Sequence, residues 1–172
     1  MAHAIGPVAH SLRLLRHNSR VTPKKLFTTF AIAEAITWTL LIAGMILKYV
    51  THTTELGVRI GGGIHGFVFL TYCVVTVLIG TSQRWKAGQI ATGLLSAIIP
   101  YATIPFEIHA RRAGLLDGSW ELGAGKREPR NFFEGWCDWA IRRPVAALVV
   151  GFVGVACLFG VLLFLGPPIP KG

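Results

Sequence analysis

Residues 26–50 read LFTTFAIAEAITWTLLIAGMILKYV, with Glu34 the one acidic and Lys48 the one basic side chain. A helix that is apolar all the way round for this length belongs in lipid or deep in a large core, and about 20 residues cross a bilayer. Three further blocks have the same character, roughly Ile60–Ser82, Ala87–Ile108 and Val145–Gly166. A chain of 172 residues with 52% hydrophobic content cannot bury all of them in an aqueous core. Lipid offers the backbone no hydrogen bonds, so each block should be helical. The expected fold is all-α, a polytopic membrane protein with four transmembrane helices. The divisions are a basic N-terminal segment (1–25), a three-helix membrane domain (26–109), a loop with an interfacial amphipathic helix (110–144), and a fourth transmembrane helix with a short tail (145–172).

The net charge of +9 would suggest nucleic acid in a soluble protein. Here Lys and Arg gather beside the apolar blocks, where they set topology and meet anionic lipid headgroups. No aromatic-rich recognition module accompanies them, so nucleic-acid binding is rejected. Cys73, Cys137 and Cys157 have neither disulfide-scaffold nor metal-type spacing. No nucleophile elbow, P-loop or H-E-x-x-H motif is present. The reading is therefore non-enzymatic, without metal or cofactor, bound lipid apart. The first block is too long for a signal h-region and is expected to remain as a signal-anchor helix.

The N-terminal segment carries Arg13, Arg16, Arg20, Lys24 and Lys25, with Val8, Leu12 and Leu15 at helical spacing, the pattern of a short interfacial helix. Within Asn131–Arg143, the side chains of Phe132, Phe133, Trp136, Trp139 and Ala140 share one helical face. Glu134, Asp138, Arg142 and Arg143 fall mainly elsewhere, as in a helix lying in the headgroup plane. The last block has no ionisable residue. It contains Ala147-x-x-x-Gly151 and Ala156-x-x-x-Gly160, small-residue seams that let a neighbouring helix approach closely.

Four full crossings leave the orientation nearly balanced. With the N-terminus inside, eight Lys and Arg residues lie inside and nine outside. The first helix usually dominates, which favours a cytoplasmic N-terminus. A re-entrant third segment, broken at Pro100, would instead put the third loop on the N-terminal side and remove the conflict.

Ionisable groups inside spans are candidate functional residues. Glu34, Thr37, Leu41 and Lys48 form a stripe on one side of the first span and should face the bundle. Counting from the loops puts Lys48, Arg59, His65, Glu107 and His109 near one membrane face if the third span crosses fully. Glu34 would then lie about 13 Å from His65 along the membrane normal, too far for a direct relay. Structural expectations follow: Glu34 bonds to Thr76 or Thr92, and Glu107 pairs with Lys48 or Arg59. His65, within Gly61-Gly62-Gly63-Ile64-His65-Gly66, has glycines that permit close approach of another helix, a lipid headgroup or a flat cofactor.

The run Ala33-Glu34-Ala35, Leu47-Lys48-Tyr49, Gly57-Val58-Arg59-Ile60, His65-Gly66 and Pro105-Phe106-Glu107 resembles a family of small bacterial integral membrane proteins. That family is abundant in actinobacteria and is defined as a domain of unknown function; the resemblance covers about residues 26–112. It implies that Glu34, Lys48, His65 and Glu107 belong to the motif, without assigning them a role. It also implies a multi-pass protein of the bacterial plasma membrane. Absence of a catalytic constellation beside ample interaction surface points to an accessory or assembly subunit that meets other integral membrane subunits and anionic lipids. By analogy, the host complex would be an actinobacterial respiratory supercomplex of cytochrome bcc–oxidase type. The competing readings are a small proton- or ion-coupled transporter or channel using Glu34 and His65, and a lipid-modifying enzyme using His65 and Glu107.

Overall fold

The computed structural model describes residues 21–123 and 126–165, with side chains in the last helix limited to 144–151, 153, 154 and 157. The expected N-terminal interfacial helix, up to Arg20, therefore lies outside the described residues, as do the side chains of Ala156 and Gly160. The described residues contain six α-helices and no strand: α1 Pro23–Tyr49, α2 Leu56–Ser82, α3 Ala87–Ile98, α4 Thr103–Arg112, α5 Phe132–Arg142 and α6 Pro144–Leu165.

Helix α1 starts where Thr22 caps it, its hydroxyl accepting from the Lys25 N–H at 3.2 Å, and Pro23 occupies a first-turn position that needs no donor. Helices α1 and α2 form an antiparallel hairpin, each 27 residues long and apolar enough to cross a membrane. Their exterior is apolar: Ile36, Phe67, Leu70 and Val74 are all exposed. In water such a surface would drive aggregation; in lipid it is ordinary. Thr39, Thr71, Thr76 and Thr92 each donate to the carbonyl four residues back, which satisfies hydroxyls that lipid cannot.

The pair meets through glycine. A Cβ on Gly44 would sit 2.5 Å from the Gly57 carbonyl carbon, and one on Gly61 would sit 3.0 Å from the Leu40 oxygen. Backbone therefore rests on backbone, the close approach that small residues give membrane helices. The contact also sets register: position 44, five residues short of the end of α1, meets the second residue of α2.

The expected third span is not one helix. Helix α3 has 12 residues, about 18 Å of rise against the roughly 30 Å of hydrocarbon. Ile99 is extended, as a residue before proline prefers, and Tyr101 turns the chain with φ of +64°. Helix α4 then runs back. The hydrogen bonds trace the reversal: Trp38 Nε1 donates to the Ala97 carbonyl, Tyr101 meets Thr39, Thr103 donates to the Ala31 carbonyl, and Thr28 donates to Glu107. Going forward from Ala97 to Glu107, the partners on α1 retreat from Trp38 to Thr28. Both ends of the α3–α4 hairpin thus lie at the Thr22–Ser82 end of the α1–α2 pair. Pro105 is the third residue of α4, where the missing N–H costs no helical bond, so the break belongs to Pro100.

Residues 113–123 and 126–143 close over this same end. Trp85 Nε1 donates to the Leu115 carbonyl at 2.8 Å, Trp120 Nε1 to the Val21 carbonyl at 2.8 Å, and the Gln83 amide to Ser119. Ser82 Oγ accepts from the N–H groups of both Glu121 and Leu122. Beneath this cap Phe27 is fully buried, its ring 5.5–6.0 Å from those of Tyr72, Trp85 and Phe106. Helix α5 packs its Cys137 face towards the end of α2, while the described part of α6 packs mainly against α5.

Candidate functional site

Near the depth where α3 turns, six polar or aromatic side chains from three helices converge. Glu34 of α1 is fully buried, and neither carboxyl oxygen has a hydrogen-bond partner among the described residues. His65 reaches over from α2: its Nδ1 lies 3.9 Å from Glu34 Oε2 and 3.2 Å from Thr37 Oγ1. The first distance is a charge-pair contact, too long for a hydrogen bond; the second is within hydrogen-bonding range. Thr37 Oγ1 is also 3.0 Å from the Glu34 backbone carbonyl. The Trp38 ring lies 4.4 Å from the His65 ring, and its N–H holds the last turn of α3 at Ala97. Two turns further along α2 from His65, the Tyr72 hydroxyl meets Ser96 Oγ at 3.0 Å, and Ser96 donates to the Gly93 carbonyl.

Glu34 and His65 are therefore adjacent, not separated by about 13 Å. The loop-counting estimate began the second span at Ile60 and took the two helices as meeting end to end; α2 begins four residues earlier, at Leu56, and Gly44 opposite Gly57 slides it about one further helical turn along α1, each worth about 6 Å. Neither Thr76 nor Thr92 bonds to Glu34, because both hydroxyls are committed to their own helices. Thr37, Trp38, Tyr72 and Ser96 complete the site. Thr37 was legible from the stripe on α1; the others carry no sequence signal distinguishing them from core residues.

The expected partners of Glu107 are also wrong, because the hairpin returns. Glu107 accepts from Thr28 at 2.6 Å and lies 3.5 Å from Arg111 Nε, at the capped end. Lys48 instead lies 3.3 Å from Glu55 at the opposite end, where Arg59 is exposed on the first turn of α2. His109, exposed on α4, is likewise remote from that end. His65 and Glu107 do not share a headgroup plane.

Helix α5 presents Phe132, Phe133 and Trp136 outward, at 83%, 56% and 50% exposure, with the Trp139 ring 5.6 Å from that of Trp136. Its polar side turns inward. The Arg130 N–H, together with the Arg127 guanidinium, holds the Glu134 carboxyl below the usual range. Burial alone would raise Asp138, but hydrogen bonds from Arg142 and the Gly123 N–H outweigh it and lower its pKa. Arg127 also donates to the Thr81 carbonyl, tying the loop to the end of α2. Cys137 is buried, which pushes its thiol upward and makes it a poor labelling target. Beside this network lies a polar depression of about 370 Å³ that includes Arg84, Asp117, Ser119 and Lys126. On α6, the small-residue seam at Gly151 is open, with nothing within 4 Å of the place a Cβ would take.

A Streptomyces coelicolor protein, whose name describes it as a membrane protein, is 50% identical to this chain over 93 residues, 54% of this chain. The match spans 11% of that protein's length. No solved structure matches. The family model for DUF3817, a domain of unknown function, matches residues 24–112, which comprise α1 to α4 with the glycine crossing and the Glu34–His65 site, and the chain is a membrane protein of that family.

Proposed function

We infer that this chain is a non-catalytic accessory module of a larger membrane assembly, held by lipid and by helix packing, with no cofactor of its own. The observation that carries the reading is α6. It is 22 residues of apolar helix whose described part packs on α5 and not substantively on the α1–α4 bundle, with Val145, Leu148 and Val149 exposed and Gly151 facing open space among the described residues. A spanning helix that, among the described residues, packs mainly on the short α5 offers packing surface to another membrane subunit. The Streptomyces relative supports the same reading, since the shared module is there a small part of a much longer chain.

In this reading α1, α2 and α6 cross the bilayer, and α3–α4 re-enters from the capped side. Five N-terminal Lys and Arg residues, two between α2 and α3, and seven in residues 110–144 then belong to one side, fourteen of the seventeen. The near-balance of the four-span topology disappears, and the positive side, with the N-terminus, is cytoplasmic. Helix α5 lies in that headgroup plane with its aromatic face in lipid.

Mild-detergent purification from native membranes through a tag should recover a partner in fixed stoichiometry. A monomer or homo-oligomer recovered alone would overturn the reading. The finer form, a subunit of an actinobacterial bcc–oxidase supercomplex, rests on analogy alone and predicts haem absorbance in the purified complex. A second reading, a proton- or ion-coupled transporter or channel, is favoured by a broken helix pair turning at the depth of a buried acid. It requires Glu34→Gln to abolish flux in liposomes.

A further inference from the structure

We propose that Glu34 and His65 form a buried proton-binding site that holds one exchangeable proton, carried either by the carboxyl or by the imidazole. The argument begins with charge. A lone carboxylate or a lone imidazolium in the apolar middle of a helix bundle is costly, whereas the pair is neutral whenever it holds one titrating proton. Two forms meet that condition: a carboxylic acid beside a neutral imidazole, and a carboxylate beside an imidazolium. The bare carboxylate with neutral imidazole and the fully protonated pair each leave a net buried charge.

The geometry accommodates both neutral forms. Thr37 Oγ1 is within reach of His65 Nδ1 and of the Glu34 backbone carbonyl, at 3.2 and 3.0 Å. With a neutral imidazole protonated at Nε2, the Thr37 hydroxyl donates to Nδ1. When Nδ1 takes the proton, Nδ1–H donates to Thr37 Oγ1, and the hydroxyl rotates to donate to the Glu34 carbonyl. Glu34 Oε2, 3.9 Å from Nδ1, is then the counter-ion. The proton lost from the carboxyl oxygen is the one gained at Nδ1, so the interconversion needs no other reactant. The Trp38 ring, 4.4 Å from that of His65, supplies a face that favours the imidazolium form.

A purely structural acid has donors aimed at it, yet both Glu34 oxygens lack them among the described residues. The surrounding groups are Thr37 and Trp38 from α1, Tyr72 and Cys73 from α2 and Ser96 from α3. Tyr72 is engaged with Ser96, and the buried Glu107 faces Thr28 and Arg111 instead. None of these supplies a fixed positive charge to the pair. The site stands whether the chain supports a partner or moves an ion.

The test is nuclear magnetic resonance of the full chain, labelled with ¹⁵N-histidine, in lipid nanodiscs, with infrared spectra of the same samples. The His65 signal is assigned by its loss in His65→Gln. Near neutral pH the wild type should show either an imidazolium at His65 or a protonated-carboxyl infrared band that disappears in Glu34→Gln. Where His65 carries the proton, Glu34→Gln should weaken its proton binding at least tenfold. Thr37→Val, which removes the hydroxyl and keeps both titrating groups, should change the neutral tautomer and provides a reading if Glu34→Gln does not fold. A neutral His65 with no Glu34 carboxyl band, a His65 imidazolium unmoved by Glu34→Gln, or a tautomer unmoved by Thr37→Val would overturn the proposal.

Discussion

Replacing Gly44 by alanine tests the crossing on which the candidate site depends. The new methyl would meet three backbone atoms, the Gly57 carbonyl carbon and oxygen and the Val58 nitrogen, at 2.5, 2.6 and 2.8 Å. No flexible side chain can yield, so α1 and α2 must move apart by about an ångström, at the upper end of the 1–3 kcal/mol for overpacking. Alanine returns about 1 kcal/mol of helix propensity, leaving a net loss of about 2 kcal/mol. Gly63→Ala is the control, because nothing lies within 4 Å of its Cβ, and there the propensity gain of up to about 1 kcal/mol stands alone. The two variants should therefore differ by about 2–3 kcal/mol, in opposite directions from the wild type. Reversible unfolding in mixed micelles, followed by circular dichroism, measures the difference. Gly44→Ala as stable as Gly63→Ala would refute the glycine-set register, and with it the account of why Glu34 meets His65.

Ser82→Ala should loosen the cap by about 1–3 kcal/mol, because the Glu121 and Leu122 N–H groups lose their shared acceptor, and faster hydrogen exchange at those amides would register it. For sidedness, a cysteine placed at Thr53 should react with impermeant maleimide in intact cells, while one at Glu128 should react after permeabilisation; the reverse order would invert the topology. Native Cys137 should label slowly in both conditions, since it is buried. Acid should release α5 from the cap. Glu134 and Asp138 have lowered values, so their stabilisation is complete above the usual carboxylate range near pH 4 and fades as pH falls through those lower values. Tryptophan emission and exchange in Phe132–Arg142 should change below about pH 4, and an unchanged α5 would exclude these carboxylates as its anchor.

Composition carried much of the fold. The apolar runs that became α1, α2 and α6 have no competing explanation, and the aromatic face of α5 was visible from spacing alone. Pro100 also marked the break, but an apolar run of 22 residues, Ala87–Ile108, has the same composition whether it crosses or doubles back. What decides is tertiary: Trp38 holding Ala97 and Thr28 holding Glu107 exist after the hairpin has packed. The candidate site was half legible. Glu34 and His65 stood out as ionisable groups in apolar runs, yet their proximity depends on sliding two helices past each other. Gly44 and Gly57 set that slide, and nothing in the sequence separates them from Gly63 or Gly66, which touch nothing.

In the proposed topology, the α3–α4 hairpin also gives the molecule unequal cross-sections in the two lipid monolayers. On the capped side it adds two half-length helices, with α5 beside them, whereas among the described residues no helix continues those columns beyond Ile99 and Tyr101. A body broader in one monolayer than in the other acts as a wedge: it displaces more lipid area on its wide side and relieves lateral pressure where that monolayer is stretched. The space beyond the hairpin tip must be filled by acyl chains or by a neighbour. A neighbour of complementary taper, narrow where this chain is wide, would let both sit in a flat membrane.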